Sequence, residues 1–195
     1  AQELEAEYSH RDEYSEILSR FWGYPSFRNL PVYDMAALER GEKVVKQVSQ
    51  ESIIANLVEE VENCGEGKDF RDVFVTAPTG AGKAVMFQVP AIYLAEKYNL
   101  LTIVVSPLIG LMNDQVKNLE LKNYSFAKTI NSDISPIIKQ DIIEKVSDGQ
   151  YHILYLSPET LLSRSDVEQL IGDRTIGMIV IDEAHRMGGS TSQVS

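Results

Sequence analysis

Two short runs in the chain carry residue types whose spacing defines a chemistry. Thr76 to Lys83 reads Thr-Ala-Pro-Thr-Gly-Ala-Gly-Lys, after an apolar run at Val73-Phe74-Val75 and before a stretch with helical periodicity. This is the G-x-x-x-x-G-K pattern of a phosphate-binding loop, with Ala77 where the first glycine usually stands. In such a loop consecutive backbone N–H groups curl around a polyphosphate at a helix N-terminus, where the helix dipole favours negative charge. Thr79, Gly80, Ala81 and Gly82 would form the cradle, the two glycines allowing close backbone approach. Lys83 would set a positive charge on the terminal phosphates. The following position normally holds a Ser or Thr whose hydroxyl ligates Mg²⁺, and here it is Ala84. The residues therefore predict nucleotide binding with impaired turnover.

The second run is Met178-Ile179-Val180-Ile181 followed by Asp182-Glu183-Ala184-His185. An acid at the end of an apolar strand is the other half of a phosphate-loop site. Asp182 would hold Mg²⁺, directly or through water, and Glu183 would polarise the water that attacks the γ-phosphate. Alone this pair is a weak signal; downstream of the phosphate loop in an alternating α/β chain it is a strong one.

The elements that must position these runs follow from periodicity. Strands are expected at Val73–Thr76, Leu101–Ser106, Ser125–Ile130, His152–Leu156 and Met178–Ile181, the last ending at Asp182. Helices are expected at Gly82–Tyr98, Leu108–Leu119, Pro136–Val146, Glu159–Leu162 and Asp166–Ile171. The strands, of which Ser125–Ile130 is the weaker one, show no inside/outside alternation, which indicates a parallel sheet covered on both faces. Ligands of such sheets bind at the C-terminal ends of the strands, where both Thr79–Lys83 and Asp182 fall. Upstream, residues 2 to 20 and Gln50 to Asn63 are expected to be helical. Phe21–Arg28 is read as a structured aromatic loop, and 30–49 as an irregular stretch with a short helix near Met35–Arg40.

With these pieces in order, the chain resembles the superfamily 2 helicases, and most closely their RecQ branch. Asp182-Glu183-Ala184-His185 matches the DEAH form of motif II, and Val104 to Val116 (VVSPLIGLMNDQV) is similar to RecQ motif Ia. Ile130-Asn131-Ser132 resembles motif Ib, Tyr155-Leu156-Ser157-Pro158-Glu159 resembles the next signature, and Phe87-Gln88-Val89-Pro90-Ala91 follows the phosphate loop as in that family. Phe21-Trp22-Gly23-Tyr24-Pro25-Ser26-Phe27-Arg28 is similar to the aromatic motif preceding the loop, with one extra residue. The resemblance implies that Tyr24 and Arg28 sandwich an adenine ring and that a Gln bonds its edge. In the family that Gln follows the Arg almost at once; here a long interval intervenes, and Gln50 is favoured over Gln47. Without a nucleotide, the same aromatics would serve as a packed hydrophobic staple. The resemblance also implies that Ser106, Asn131 and Ser132 contact DNA phosphates, and that His185 couples the nucleotide to the DNA site. As caps of turns and helices, these Ser and Asn residues need no nucleic acid.

The implied fold is a three-layer α/β RecA-like nucleotide-binding domain with a mainly parallel sheet and an N-terminal helical extension. Its expected divisions are 1–49 for the extension carrying the aromatic motif, 50–185 for the ATP-binding lobe and 186–195 for a flexible tail. The implied activity is that of an ATP- and Mg²⁺-dependent DNA helicase acting 3′ to 5′ on single-stranded DNA. The motif III strand and the second RecA-like domain are not in these 195 residues, so the chain is expected to be part of a larger parent helicase or to have its site completed by another chain. A nucleotide-switched protein-interaction module, an RNA helicase or another translocase are the alternatives.

Composition narrows the setting. The net charge of −11 argues against broad electrostatic attraction to nucleic acid, though a local basic groove is compatible with it. No apolar run reaches the roughly 18–20 residues of a membrane span. The single Cys64 excludes an internal disulfide and fits a reducing, cytoplasmic setting, the nucleoid or nucleus depending on source. Protein partners are compatible with the acidic N-terminal run, which reads first as a solvated helix face.

Overall fold

The computed structural model describes residues 11–33, 35–65, 73–77, 84–161 and 164–182. The chain enters through α1 (Arg11–Ile17), whose last turn widens into a π-helical segment, Leu18–Trp22. Gly23 closes it in the left-handed region (φ 71°), donating its N–H to the Ser19 carbonyl at 3.0 Å. Phe21 and Trp22 thus belong to a helical turn rather than to the loop expected for them, because the πturn keeps Phe21 against Tyr124, ring centroids 5.2 Å apart. The expected first helix begins in residues 1–10, which lie outside the described residues.

The stretch expected to be irregular is an antiparallel hairpin arm. β1 (Asn29–Tyr33) and β2 (Val45–Ser49) pair with Asn29 opposite Ser49 and Tyr33 opposite Val45, and the short helix α2 (Met35–Glu39) lies in the connection. α3 (Gln50–Gly65) follows without a break and buries Ile54, Leu57, Val58 and Val61 at one face.

The remaining strands are β3 (Val73–Ala77), β4 (Leu101–Val105), β5 (Ala127–Ile130), β6 (Ile153–Leu156) and β7 (Ile176–Asp182). They form one parallel sheet in the order β3-β7-β4-β6-β5. The connecting helices are α4 (Val85–Tyr98), α5 (Ile109–Leu121), α6 (Pro136–Ser147) and α7 (Arg164–Ile171). A four-residue 3₁₀ turn, Pro158–Leu161, replaces the helix expected at 159–162; the Ser157 hydroxyl closes it against Thr160 Oγ1 at 2.9 Å.

Topology decides which face each helix covers. The crossovers β3→β4 and β4→β5 run one way across the sheet, and β5→β6 and β6→β7 run back. With right-handed connections the first pair of helices and the second pair must cover opposite faces. The core divides accordingly. Val104, Ile153, Tyr155, Met178 and Val180 point to the side of α1, α3, α4 and α5. Leu101, Ile103, Leu154, Leu156, Ile176 and Ile179 pack with Ile142 and Val146 of α6 and Leu170 of α7. Each such fully buried side chain contributes about 1.5–3 kcal/mol. Three layers result, as the apolar strands imply.

At the N-terminal edge of this sheet the fold is fastened by a buried arginine. Arg174, 7% exposed, donates to the carbonyls of Val146 (3.1 Å), Tyr151 (2.6 Å) and Asn99 (3.2 Å), and its guanidinium lies 3.1 Å from His152 Nδ1. Val146 lies in the last turn of α6 and Asn99 is the left-handed cap of α4, so two helix C-termini turn their partial negative charge to this cation. Burial, with the Arg174 charge next, holds His152 below its ordinary pKa.

Candidate nucleotide site

The hairpin arm explains how Arg28 and Gln50 meet. The two strands leave and return at one point, so the residues flanking them are fastened together although they are 22 positions apart. The Arg28 N–H donates to Gln50 Oε1 at 2.9 Å, and the Gln50 N–H donates to the Arg28 carbonyl at 2.8 Å. Gln50 is buried at 4% exposure at the N-terminus of α3. Tyr24, by contrast, is 43% exposed, and the Arg28 guanidinium carbon lies 5.3 Å from its ring centroid. Carbon contacts favour about 3.5–4 Å, so a flat ring held between the two would need about 7 Å. Tyr24 and Arg28 rest on each other and would part by about 2 Å to admit one. Both are exposed side chains, so the opening disturbs no core packing.

These three residues line one cavity of about 280 Å³ together with Trp22, Ala84, Gln88 and a stripe of α5. Trp22 is half-buried against the core and forms part of the wall. In a chain of net charge −11 the lining holds two cations, Arg28 and Lys122, and no carboxylate among the described residues. That electrostatic contrast favours an anionic ligand. Gln88 anchors the floor, its Nε2 donating to the buried Tyr155 hydroxyl of β6 at 3.0 Å. Ala84 immediately precedes α4, so the cavity adjoins the end of the Thr79–Lys83 sequence.

The phosphate side is described at its two flanks. Thr79, Gly80, Ala81, Gly82 and Lys83 lie outside the described residues, as do Glu183 and His185. Ala84 stands at the start of α4, its carbonyl accepting from Gln88 N–H at 2.9 Å, and its methyl offers no oxygen to a metal. Asp182 ends β7 directly opposite Ala77 of β3 in parallel register, level with the point where the loop sequence leaves its strand. That placement suits an acid required beside the phosphates, so the strand ends fit a Mg²⁺–nucleotide with one oxygen ligand fewer at Ala84.

The three residues expected at nucleic acid follow the C-terminal ends of β4 (Ser106) and β5 (Asn131 and Ser132), with β6 between them. The Ser106 N–H donates to the Leu156 carbonyl (3.0 Å) and the Ser157 N–H to that of Ile130 (3.4 Å), which brings these strand ends side by side. The buried Ser106 Oγ accepts from the Leu108 N–H at 3.2 Å. Asn131, also buried, accepts from the Asp133 N–H at 2.9 Å and donates to Thr129 Oγ1 at 3.1 Å. Ser106 and Asn131 therefore shape their turns, and Ser132 lies on the surface. Sequence reasoning missed Gln88, Gln115, Asn118 and Lys122 as cavity residues; the signal was the helical spacing of the last three within motif Ia and just beyond it.

A parallel sheet whose central acid-tipped strand lies beside the strand feeding a phosphate-loop sequence, with a base-sized cavity alongside, defines a RecA-like nucleotide-binding domain. Residues 47–195 match the DEAD/DEAH box helicase family. Over 177 residues the chain is 34% identical to the ATP-dependent DNA helicase RecQ of Synechocystis, covering 90% of this chain and 30% of that protein. It is 37% identical over 135 residues to the ATP-dependent helicase SGS1 of Saccharomyces cerevisiae, covering 67% of this chain and 9% of the relative. With the RecQ of Haemophilus influenzae it shares 38% over 115 residues, 59% of this chain and 18% of that one. The chain belongs to the DEAD/DEAH box helicase family and is a RecQ-like first RecA-like domain. It spans less than a third of the length of these relatives.

Proposed function

We propose that this domain is the ATP-binding lobe of an ATP-dependent DNA helicase of the RecQ kind, acting 3′ to 5′ on single-stranded DNA with a second RecA-like domain. The observation that carries the base half of this reading is the fastening of Gln50 to Arg28 beside Tyr24, in a cavity that adjoins the start of α4. Tyr24 and Arg28 hold the adenine ring by stacking and cation–π attraction, and Gln50 bonds its edge. Thr79, Gly80, Ala81 and Gly82 bind the phosphates through backbone N–H groups, and Lys83 places its charge on the terminal ones. Asp182 would hold Mg²⁺, which when bound would supply charge neutralisation at the phosphates. Glu183 orients and polarises the attacking water. His185 relays the nucleotide state toward the strand ends, where the exposed Ser132 meets the DNA backbone and Ser106 and Asn131 hold the turns that present backbone N–H groups to it. Because Ala84 removes one metal ligand, the domain binds nucleotide better than it turns it over. In this reading 1–49 is an extension that supplies the base contacts, 50–185 is the lobe itself and 186–195 is a tail, and the parent protein works inside the cell where DNA is.

The test is ATP hydrolysis by the full-length protein with and without single-stranded DNA, repeated with Ala84→Ser. Restoring the hydroxyl is expected to raise DNA-stimulated turnover at least about tenfold, the scale on which even outer-shell metal partners act. No stimulation by DNA in either protein would overturn the helicase reading. Stimulation by RNA in place of DNA would assign the domain to an RNA motor, and nucleotide-dependent capture of a protein without DNA would assign it to a switch.

A further inference from the structure

Beyond its root, the hairpin arm serves neither the core nor the base seat. The root fastens Arg28 to Gln50, but no described side chain of residues 29–49 belongs to either half of the core. A lone two-stranded hairpin is marginally stable in water, and a third strand or a covering element is what stabilises one. The register shows where a third strand can add. The Gln50 N–H reaches the Arg28 carbonyl across the ladder, so Arg28 and Gln50 form a pair of the hydrogen-bonded kind. Such pairs alternate along an antiparallel ladder. Leu30 with Val48 and Val32 with Lys46 therefore bond across it, while Asn29, Pro31 and Tyr33 of β1 and Ser49, Gln47 and Val45 of β2 turn their main-chain groups outward. Pro31 fits that alternation, since it has no N–H to give to β2.

The two edges then differ. On β1 the outward row is broken at Pro31, one of the ways in which native edges are closed to strand addition. On β2 the outward main-chain groups of Val45 and Gln47 have no partner among the described residues, and both residues are exposed. Val44, just before the strand, and Val45 are 44% and 56% exposed, so this open edge carries β-branched side chains as well. Its charge is also distinct. Arg40 is paired with Glu42 at 3.7 Å, but residues 43–49 hold Lys43 and Lys46 and no acid, in a chain of net charge −11. Lys43 is exposed and has no ion pair among the described residues.

We propose that the outer edge of β2 is a docking site for an extended, acid-bearing segment of a partner protein, which adds as a third strand. The main chain of that segment pairs with Val45 and Gln47, a β-branched side chain of it covers Val45, and a carboxylate of it faces Lys43. Main-chain pairing supplies the affinity, and the lysine favours an acidic segment over a basic one. None of these groups takes part in the base seat.

The probe is a fluorescein-labelled peptide, Thr-Val-Glu-Val-Glu-Val-Thr, titrated into the full-length protein and followed by anisotropy. Gln47→Pro is expected to weaken its binding about tenfold, since the ring removes a donor from the outer edge. The same change spares the ladder, because the Gln47 N–H points away from β1, so Tm and ATP affinity should hold. Lys43→Ala should weaken the peptide about two- to fivefold, the scale of an exposed ion pair. N-methylation of the peptide amides that face β2 should abolish binding to the wild type, which tests strand pairing without altering the arm. Failure of the unmethylated peptide to bind the wild type, or equal binding after Gln47→Pro and after methylation, overturns the proposal. Slow exchange of the Gln47 amide in the full-length protein without peptide would show that its own chain covers the edge, and would overturn it too.

Discussion

Arg174 and Arg28 are the same residue put to opposite uses. Arg174 lies at the N-terminal edge of the sheet, buried, with three carbonyls and a histidine around its guanidinium. Arg28 lies beside the cavity near the start of α4, with its backbone fastened at both N–H and carbonyl and its exposed guanidinium resting on one aromatic ring. In the first case the side chain holds the fold; in the second the fold holds the backbone and leaves the side chain available. The lesson is that at a ligand site the rigid hydrogen bonds belong to the main chain and the chemistry to side chains whose movement breaks no packing.

Breaking each arginine should separate stability from binding. The largest effect is expected from Arg174→Ala, which strips the donors from two helix C-termini and from the loop before β6. It should lower unfolding free energy by about 3 kcal/mol or more, read as a fall in urea midpoint and in Tm. Nucleotide affinity of the folded variant should hold. Arg28→Ala is expected to do the reverse: ATP affinity should drop about three- to thirtyfold, the range of a cation–π contact with partial desolvation, with Tm unchanged because the Gln50 bonds use only the backbone of residue 28. Loss of Tm in Arg28→Ala, or loss of binding in folded Arg174→Ala, would erase the contrast.

The smallest effect sharpens the structural pole. His152 is held below its ordinary pKa by burial and by Arg174, so folding favours its neutral form. Its contribution to stability is present above the unfolded value near 6.5 and is lost as pH falls through that value toward the lower folded one. Urea midpoints should decline on acidification through this window, and His152→Gln should flatten that decline. A midpoint that rises on acidification would mean that His152 is charged in the folded protein.

Much of this was legible in the chain, and the exceptions have causes. The central parallel strands and their helices follow from apolar runs too continuous to face water on either side, such as Leu101–Val105, whereas the edge strand β5, with Lys128 and Thr129, gave a weaker signal. The hairpin arm was not legible because Pro31 weakens the strand signal over β1 and polar residues dilute that over β2, so neither segment shows a clean alternation. Gln50 was nonetheless singled out across that interval, and the arm supplies the reason it stands beside Arg28. Arg174 gave no signal at all, since a single cation between Asp173 and Thr175 reads as surface until tertiary packing brings three carbonyls to it. The α5 wall was hidden for another reason: the run from Val104 to Val116 draws attention to its strand end, while the cavity is lined by the helix that follows.

The account rests most directly on the claim that Tyr24, Arg28 and Gln50 form the seat of a nucleotide base. Calorimetric titration of ATP into the full-length wild type and into Tyr24→Ala measures it. Base–aromatic stacking is worth about 1–3 kcal/mol, so the variant should bind ATP roughly five- to a hundredfold more weakly at unchanged Tm. Equal affinity in the two proteins would contradict the account.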